Sequence, residues 1–134
     1  MKKNAFLAPV LLLLICLAGC QTISGEGKLA SKREILNAMG EGLLGSSLNE
    51  LKRADQRKVL EAEYRALEYT NSGSTVSWAS EDQLSKGTIT PGQPYQVGAQ
   101  NCRQYSHYFI LKGVPQTVKG SACRNENGSW SPLT

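Results

Sequence analysis

Hydrophobic residues follow three different patterns along the chain. Residues 5–17 form a nearly unbroken apolar run. Between residues 48 and 69, apolar positions recur three and four residues apart, which is the spacing of one face of an α-helix. After residue 71, apolar and polar residues alternate in short runs separated by Gly, Pro, Asn and Ser, as in β-strands joined by turns. This order predicts an α+β fold in which an N-terminal helix packs on a small antiparallel β-sheet.

The apolar run at the N-terminus predicts a cleaved signal peptide. Lys2 and Lys3 precede the run, which is shorter than the roughly 20 residues that a transmembrane helix needs. It ends in Leu17-Ala18-Gly19-Cys20, which matches a lipobox, the motif at which bacterial lipoproteins are lipidated and cut. Lipidation needs a thiol at this position because the diacylglyceryl group is attached to the cysteine sulfur. We therefore predict cleavage before Cys20 and a lipid on its side chain.

Two other interpretations of this segment are a plain secretory signal, in which Cys20 is accidental, and an uncleaved signal anchor, which the short apolar run disfavours. Two or three acyl chains, such as palmitate, would hold the mature chain on a membrane, because one chain alone binds only marginally. In enterobacterial-type sorting, an Asp after the lipidated cysteine retains a lipoprotein in the inner membrane. Gln21 therefore predicts the outer membrane. We expect no cofactor apart from the covalent lipid on Cys20.

The patterns divide the chain into four parts. These are a signal peptide over residues 1–19, a lipidated flexible tether over 20–34, a helical segment over 35–70 and a small antiparallel β-domain over 71–134. Removal of Lys2 and Lys3 with the signal peptide lowers the formal net charge from +4 to about +2. A charge this small does not fit the strongly basic surface of a nucleic-acid-binding protein. The mature chain is long enough for one small domain.

Two capping boxes predict helix starts. Ser31 with Glu34, and Ser47 with Glu50, place a hydroxyl and a carboxylate three residues apart, where each satisfies a free backbone N–H group. Three glycines between residues 40 and 45 lower the helix propensity between the boxes. The polar face of the longer helix carries mixed charges, which is typical of a solvated surface. Its members are Lys52, Arg53, Arg57, Lys58, Glu61, Glu63, Arg65 and Glu68.

The β-domain is predicted to contain three short strands, over residues 75–78, 87–90 and 94–98, and two longer ones, over 102–111 and 114–124. A last short strand begins at residues 129–130. The inward face of the two longer strands is predicted to carry six residues: Tyr105, Phe109, Leu111, Val114, Val118 and Ala122.

A two-residue loop at Lys112 and Gly113 sets the register of the two longer strands. Counting back from this loop brings Cys102 opposite Cys123, at a non-hydrogen-bonded site where side chains come closest. Because the cell envelope is oxidising, we predict a disulfide between them. A four-residue loop would instead place Asn125 opposite Cys102. A free thiol pair and half of a metal site are further alternatives.

The sequence contains few residues that could support catalysis or bind a metal. His107 is the only histidine, and its place on the inward face favours a half-buried structural role over that of a catalytic base. No nucleotide-binding or zinc motif occurs. We therefore predict no catalytic residue, no metal ligand and no enzyme activity. An alternative is a sugar- or peptide-binding patch formed by Tyr95, Tyr105, Tyr108, Arg103 and Arg124, although aromatic residues on short strands more commonly belong to a core.

Several stretches occur in a characteristic order. They are Leu43-Leu44-Gly45-Ser46-Ser47-Leu48, Arg65-Ala66-Leu67-Glu68, Cys102-Arg103-Gln104-Tyr105, Gly120-Ser121-Ala122-Cys123-Arg124 and Gly128-Ser129-Trp130. With these motifs the sequence resembles, over about residues 40–131, the 17 kDa surface antigen family of Gram-negative outer-membrane lipoproteins of rickettsial and alphaproteobacterial type.

The resemblance implies a surface antigen with a structural or interaction role in the cell envelope and no known catalysis. Its expected partners are the outer membrane, through the lipid anchor, and an envelope protein or glycan, but no nucleic acid. The alternative function is a periplasmic lipoprotein inhibitor or a ligand- or glycan-binding module. Family members commonly carry a long Gly/Ala-rich zipper that is expected to insert into or oligomerise at the membrane. Only Gly40, Gly42 and Gly45 remain of it here.

Overall fold

The computed structural model describes residues 30–133. The predicted signal peptide, the lipobox with Cys20 and the predicted tether as far as residue 29 lie outside the described residues. In chain order the structure contains α1 (Lys32–Ala38), a 3₁₀ helix (Gly45–Glu50), α2 (Arg53–Tyr69), β1 (Val76–Ala79), β2 (Lys86–Val97), β3 (Gln100–Leu111), β4 (Val114–Arg124) and β5 (Trp130–Pro132). Helices followed by strands confirm the predicted α+β class.

The five strands form one antiparallel sheet in the order β1-β2-β3-β4-β5. Two of the predicted short strands, over residues 87–90 and 94–98, are in fact parts of the single strand β2, so this prediction is wrong. The register of β2 against β3 shifts between Pro91 and Pro94. A bulge accommodates prolines that cannot donate to the hydrogen-bond ladder, so the strand continues past them.

The first capping box is present and the second is not. Ser31 donates its backbone N–H to Glu34 Oε2 at 2.7 Å, and Glu34 donates its backbone N–H to Ser31 Oγ at 3.3 Å. Because α1 begins at Lys32, the boundary placed between residues 34 and 35 falls inside this helix. Ser47 lies within the 3₁₀ helix, and α2 begins only at Arg53, without a side-chain cap.

The segment between α1 and α2 turns where glycines adopt left-handed backbone angles. Gly40, Gly42 and Gly45 have φ values of +61°, +57° and +59°. An L-residue is disfavoured in this region, whereas glycine enters it freely. These turns explain why the second capping box does not start a long helix, since the chain is still changing direction when it reaches Ser47.

The hydrophobic core draws side chains from both α2 and the sheet. Val59, Ala62 and Ala66 of α2 belong to the same buried cluster as Ile89 of β2 and Phe109 of β3. Within residues 30–133, no helix is long and apolar enough to span a membrane.

Of the six residues predicted on the inward face, four are buried, Val118 is half-buried and Val114 is exposed. Tyr105, Phe109, Leu111 and Ala122 are buried, whereas Val114 is 57% exposed. Val114 follows the hairpin turn on β4, and β5 pairs with β4 only at Ala122–Arg124. Among the described residues, the turn end of β4 therefore pairs with β3 alone and has no strand on its other side, and the prediction that Val114 packs inward is wrong.

Candidate functional site

The hairpin between β3 and β4 has the predicted register. Lys112 and Gly113 have φ values of +48° and +85°, as a two-residue turn with two left-handed positions requires. Leu111 faces Val114, and the pairing continues without a shift to Cys102 and Cys123. The two cysteines form a disulfide, with their Cα atoms 4.0 Å apart. The disulfide and the two-residue register are confirmed, and the register with Asn125 opposite Cys102 is not adopted.

The disulfide lies across a row of four strands. Cys102 also faces Tyr95 of β2, and Cys123 also faces Ser131 of β5. Both cysteines are buried. Within residues 30–133, no group of His, Cys, Asp and Glu side chains is arranged to hold a metal ion. Because the bridge joins two residues that face each other on β3 and β4, it holds these strands in register.

Arg103, next to the disulfide, joins the sheet to the end of α2. Its Nη1 donates to the carbonyl oxygens of Ala66, Leu67 and Thr70 at 3.3, 2.9 and 2.8 Å. Its Nε and Nη2 donate to the carbonyl oxygen of Gly92, beside the bulge of β2, at 3.1 and 2.9 Å. A cation at this position complements the negative end of the helix dipole and satisfies carbonyls that have no helical partner.

Burial lowers the pKa of the Arg103 guanidinium from its ordinary value, although an arginine stays charged under all physiological conditions. Because all these donors are engaged with the backbone, Arg103 does not contribute to a sugar- or peptide-binding patch. Its role was missed in the sequence, since the acceptors are main-chain carbonyls that no side-chain pattern reveals.

Arg124, on the other side of the disulfide, also contacts α2. Its Nε and Nη2 donate to the two carboxylate oxygens of Glu68 at 2.9 and 3.1 Å, and Trp130 Nε1 donates to Glu68 Oε2 at 2.8 Å. Glu68 was predicted on the solvated face of the helix, which is wrong, because it bridges α2 to β4 and β5. Partial burial acts to raise the pKa of Glu68, but the hydrogen bonds and the charge of Arg124 outweigh it, so the pKa lies below its usual value.

A third polar cluster is enclosed in the core. Trp78 Nε1 donates to His107 Nε2 at 2.8 Å, and His107 Nδ1 lies 3.3 Å from Glu63 Oε1. The backbone N–H of Leu43 donates to Glu63 Oε2 at 2.9 Å. Both His107 and Glu63 are completely buried. Glu63 was predicted on the solvated face, which is wrong, and His107 is buried more deeply than predicted.

The Trp78 contact defines the tautomer of a neutral His107 imidazole. Because His107 Nε2 accepts a hydrogen bond, it carries no proton, and a neutral imidazole then has its proton on Nδ1, facing Glu63. Burial raises the pKa of the Glu63 carboxyl, against the opposing effect of His107 and of the Leu43 and Leu44 backbone groups. A sequence signal for Glu63 did exist, since it stands four residues after Val59 and three before Ala66, on the buried stripe of α2.

Two glycines leave room for this cluster. A Cβ atom on Gly87 would lie 2.7 Å from Trp78 Nε1, and one on Gly42 would collide with Glu63 Oε2. A side chain at either position would displace the cluster, so these two glycines are required by packing.

The three tyrosines of the alternative patch do not converge. Tyr105 is buried and lies over Gly120, where a Cβ atom would be 3.0 Å from its hydroxyl. Tyr95 and Tyr108 lie on the opposite face of the sheet, paired with Cys102 and Thr88 and partly exposed. An open depression on this face has a volume of about 680 Å³. Its polar lining includes Thr90, Gln104, Ser106, Lys119 and Ser121.

Together these observations define a small disulfide-bonded α+β domain. Its buried and half-buried polar side chains bond to one another and to the backbone, and they do not line an enclosed cleft.

The family model of the 17 kDa outer membrane surface antigen matches residues 65–131. The 17 kDa surface antigen of Rickettsia bellii (strain RML369-C) is 35% identical over 125 residues, which cover 85% of this chain and 72% of that protein. The 17 kDa surface antigen of Rickettsia prowazekii (strain Madrid E) is 40% identical over 76 residues, which cover 55% of this chain and 48% of that protein.

The chain belongs to the 17 kDa surface antigen family, which confirms the resemblance seen in its motifs. No solved structure matches it.

Proposed function

We propose that the protein is a lipid-anchored outer-membrane lipoprotein with a structural or surface-interaction role in the cell envelope. Family membership supports the surface antigen role. The observation that carries the anchor is the lipobox Leu17-Ala18-Gly19-Cys20 directly after the apolar run. In this proposal the helices pack on one face of the sheet, and the lipid on Cys20 holds the domain at the membrane.

The proposed role involves no catalysis. His107 is enclosed in the core, with one ring nitrogen accepting from Trp78 and the other facing Glu63. A general base must reach a substrate proton, and this imidazole has no exposed surface. The depression on the sheet is open to solvent and not enclosed, which supports a surface-interaction role over the alternative of an inhibitor or a ligand- or glycan-binding module.

Substitution of the proposed lipid attachment site tests the anchor. Cys20→Ser removes the thiol, so the variant should accumulate as unprocessed precursor and take up no radiolabelled palmitate, whereas the wild type should be labelled and shortened. The matched control is Cys16→Ser, which changes a cysteine of the signal peptide outside the lipobox and should be processed like the wild type. A Cys20→Ser protein that is still cleaved and still partitions into detergent would refute the anchor.

A further inference from the structure

The start of the described chain lies against the outward face of α2. Ala30 shares a surface depression with residues of α1 and α2, namely Lys32, Ile35, Glu61, Tyr64, Arg65 and Tyr69. Ten residues lead from Cys20 to Ala30, and a chain of that length spans at most about 36 Å. If Cys20 carries the lipid, Ala30 therefore lies within about 36 Å of the bilayer, so this face can reach the bilayer surface.

The outward face of α2 is more basic than its sequence indicates. Arg53, Arg57 and Arg65 are exposed, and none of them forms an ion pair with any carboxylate in residues 30–133. The single acidic residue among them, Glu61, is paired with Lys32 of α1 at 3.2 Å. Guanidinium groups form bidentate hydrogen bonds with phosphate oxygens, so an array of unpaired arginines suits phosphate-bearing surfaces.

The other carboxylates of α2 are engaged with partners elsewhere in the domain. Asp55 is buried, accepts from the backbone N–H of Glu81 and pairs with Lys58 at 3.0 Å. Glu63 is enclosed in the core, and Glu68 bridges to Arg124. These carboxylates are thus engaged with other partners, and Arg53, Arg57 and Arg65 remain without an ion pair among residues 30–133. The mixed charge of the sequence becomes a positively charged outer surface.

Tyr69 extends this surface with an amphipathic side chain. It is 71% exposed, and its ring packs edge to face against Tyr64, with the ring centroids 5.7 Å apart. Tyrosine is favoured at membrane interfaces, where its ring contacts apolar groups and its hydroxyl contacts water and headgroups. Tyr69 lines the same depression as Arg65 and Ala30, so an aromatic side chain suited to the membrane interface lies beside the basic residues.

We propose that the outward face of α2, formed by Arg53, Arg57, Arg65 and Tyr69, docks on the anionic phospholipid headgroups of the bilayer that holds the lipid of Cys20. This inference rests on the proposed lipid anchor. The tether raises the local concentration of the face at the bilayer, so weak contacts suffice. Each basic residue near an anionic membrane strengthens binding by roughly fivefold, so three arginines together favour the docked state on the order of a hundredfold.

Spin labelling of the full lipidated protein in vesicles tests the docking. Ala54→Cys places a nitroxide on the exposed face between the arginines, and Thr117→Cys places one on the exposed surface of β4 as the matched control. The vesicles contain phosphatidylcholine alone or with a quarter of phosphatidylglycerol. In the anionic vesicles only, the Ala54→Cys label should collide several-fold less often with a water-soluble nickel complex. High salt should restore the collision rate. The Thr117→Cys label should not change.

The triple variant Arg53→Gln, Arg57→Gln, Arg65→Gln changes exposed residues and should abolish this protection while the protein still floats with the vesicles. Equal accessibility of the Ala54→Cys label in both kinds of vesicle, with the protein still floating, would overturn the docking and leave the anchor intact. Failure to float would overturn the anchor, and the docking with it. Protection in both kinds of vesicle that grows with protein concentration would indicate a second copy as the occupant and overturn the lipid docking.

Discussion

At the scale of single residues, the buried carboxylate of Glu63 is the most consequential feature of the domain. It receives hydrogen bonds from backbone groups before α2 and faces the imidazole of His107 on β3. Burying a charged group is unfavourable unless it is well paired. Burial therefore raises the pKa of Glu63. The pKa of Glu68, at the edge of the core, is shifted in the opposite direction.

The raised pKa of Glu63 predicts a pH-dependent stability. Because the folded state binds this proton more tightly than the unfolded state, the contribution of Glu63 is full below the ordinary pKa of 4.5 and is lost as the pH rises through the folded-state pKa. In urea unfolding at a series of pH values, the free energy of unfolding of the wild type minus that of Glu63→Gln should fall with rising pH, by at most about 1.4 kcal/mol per unit.

Taking this difference isolates Glu63, since Glu68 acts in the opposite direction and is present in both proteins. Glu50→Gln, at an exposed position of the 3₁₀ helix, controls for the removal of one carboxylate and should follow the wild-type profile. A difference between wild type and Glu63→Gln that stays constant between pH 4 and 8 would contradict the role of burial.

At the scale of elements, the disulfide-bonded hairpin of β3 and β4 organises the domain. Arg103 and Arg124, each next to a cysteine, both bond to the C-terminal end of α2, Arg103 to main-chain carbonyls and Arg124 to the Glu68 side chain. The bridge therefore fixes not only the strand register but also the spacing of two arginines that hold the helix. This arrangement gives a physical reason for the Cys102-Arg103 and Cys123-Arg124 pairs among the family-like motifs.

Removal of the bridge should destabilise the domain strongly. Cys102→Ala with Cys123→Ala frees a loop whose ends are 21 residues apart, so the free energy of unfolding should fall by about 3 kcal/mol. Mass spectrometry of the non-reduced wild type checks the bond itself, and wild type in dithiothreitol is the matched control for the loss of the bridge without a change in sequence. Equal stability of the variant and the oxidised wild type would argue against this contribution.

The hairpin also illustrates how far local sequence leads. Its turn, register and disulfide follow from two adjacent positions and strict alternation, so they were predictable. The exposed Val114 on the same strand was not, because burial depends on which other element covers it. The merging of two predicted strands into β2 has a similar cause, since the pairing with β3 carries β2 past its prolines.

At the scale of the whole molecule, the proposed anchor and the basic face of α2 belong to one end of the domain. Ala30 marks where the chain from Cys20 reaches that end. In the proposed lipoprotein, the predicted outer-membrane destination rests on the residue after Cys20, which is Gln21 and not Asp.

A change of this residue should redirect the protein. In a Gram-negative host with enterobacterial-type sorting, Gln21→Asp should move the protein from the outer-membrane to the inner-membrane fractions of a sucrose gradient, because an acidic residue there retains lipoproteins. Gln21→Asn, which keeps an uncharged amide, should remain with the outer-membrane porins. Wild-type protein that migrates with inner-membrane markers would overturn the predicted destination.

Features that depend on neighbouring positions were accessible from the chain alone: the α+β class, the first capping box, the hairpin register, the disulfide and the family. The lipobox and the signal peptide are equally local and remain predictions. The contacts of Glu63, Glu68 and Arg103 were not accessible, because each joins groups more than 30 residues apart, or a side chain to main-chain atoms. A helix periodicity shows which stripe is buried, but only the packed sheet supplies the histidine, arginine and tryptophan that allow charged side chains to lie there.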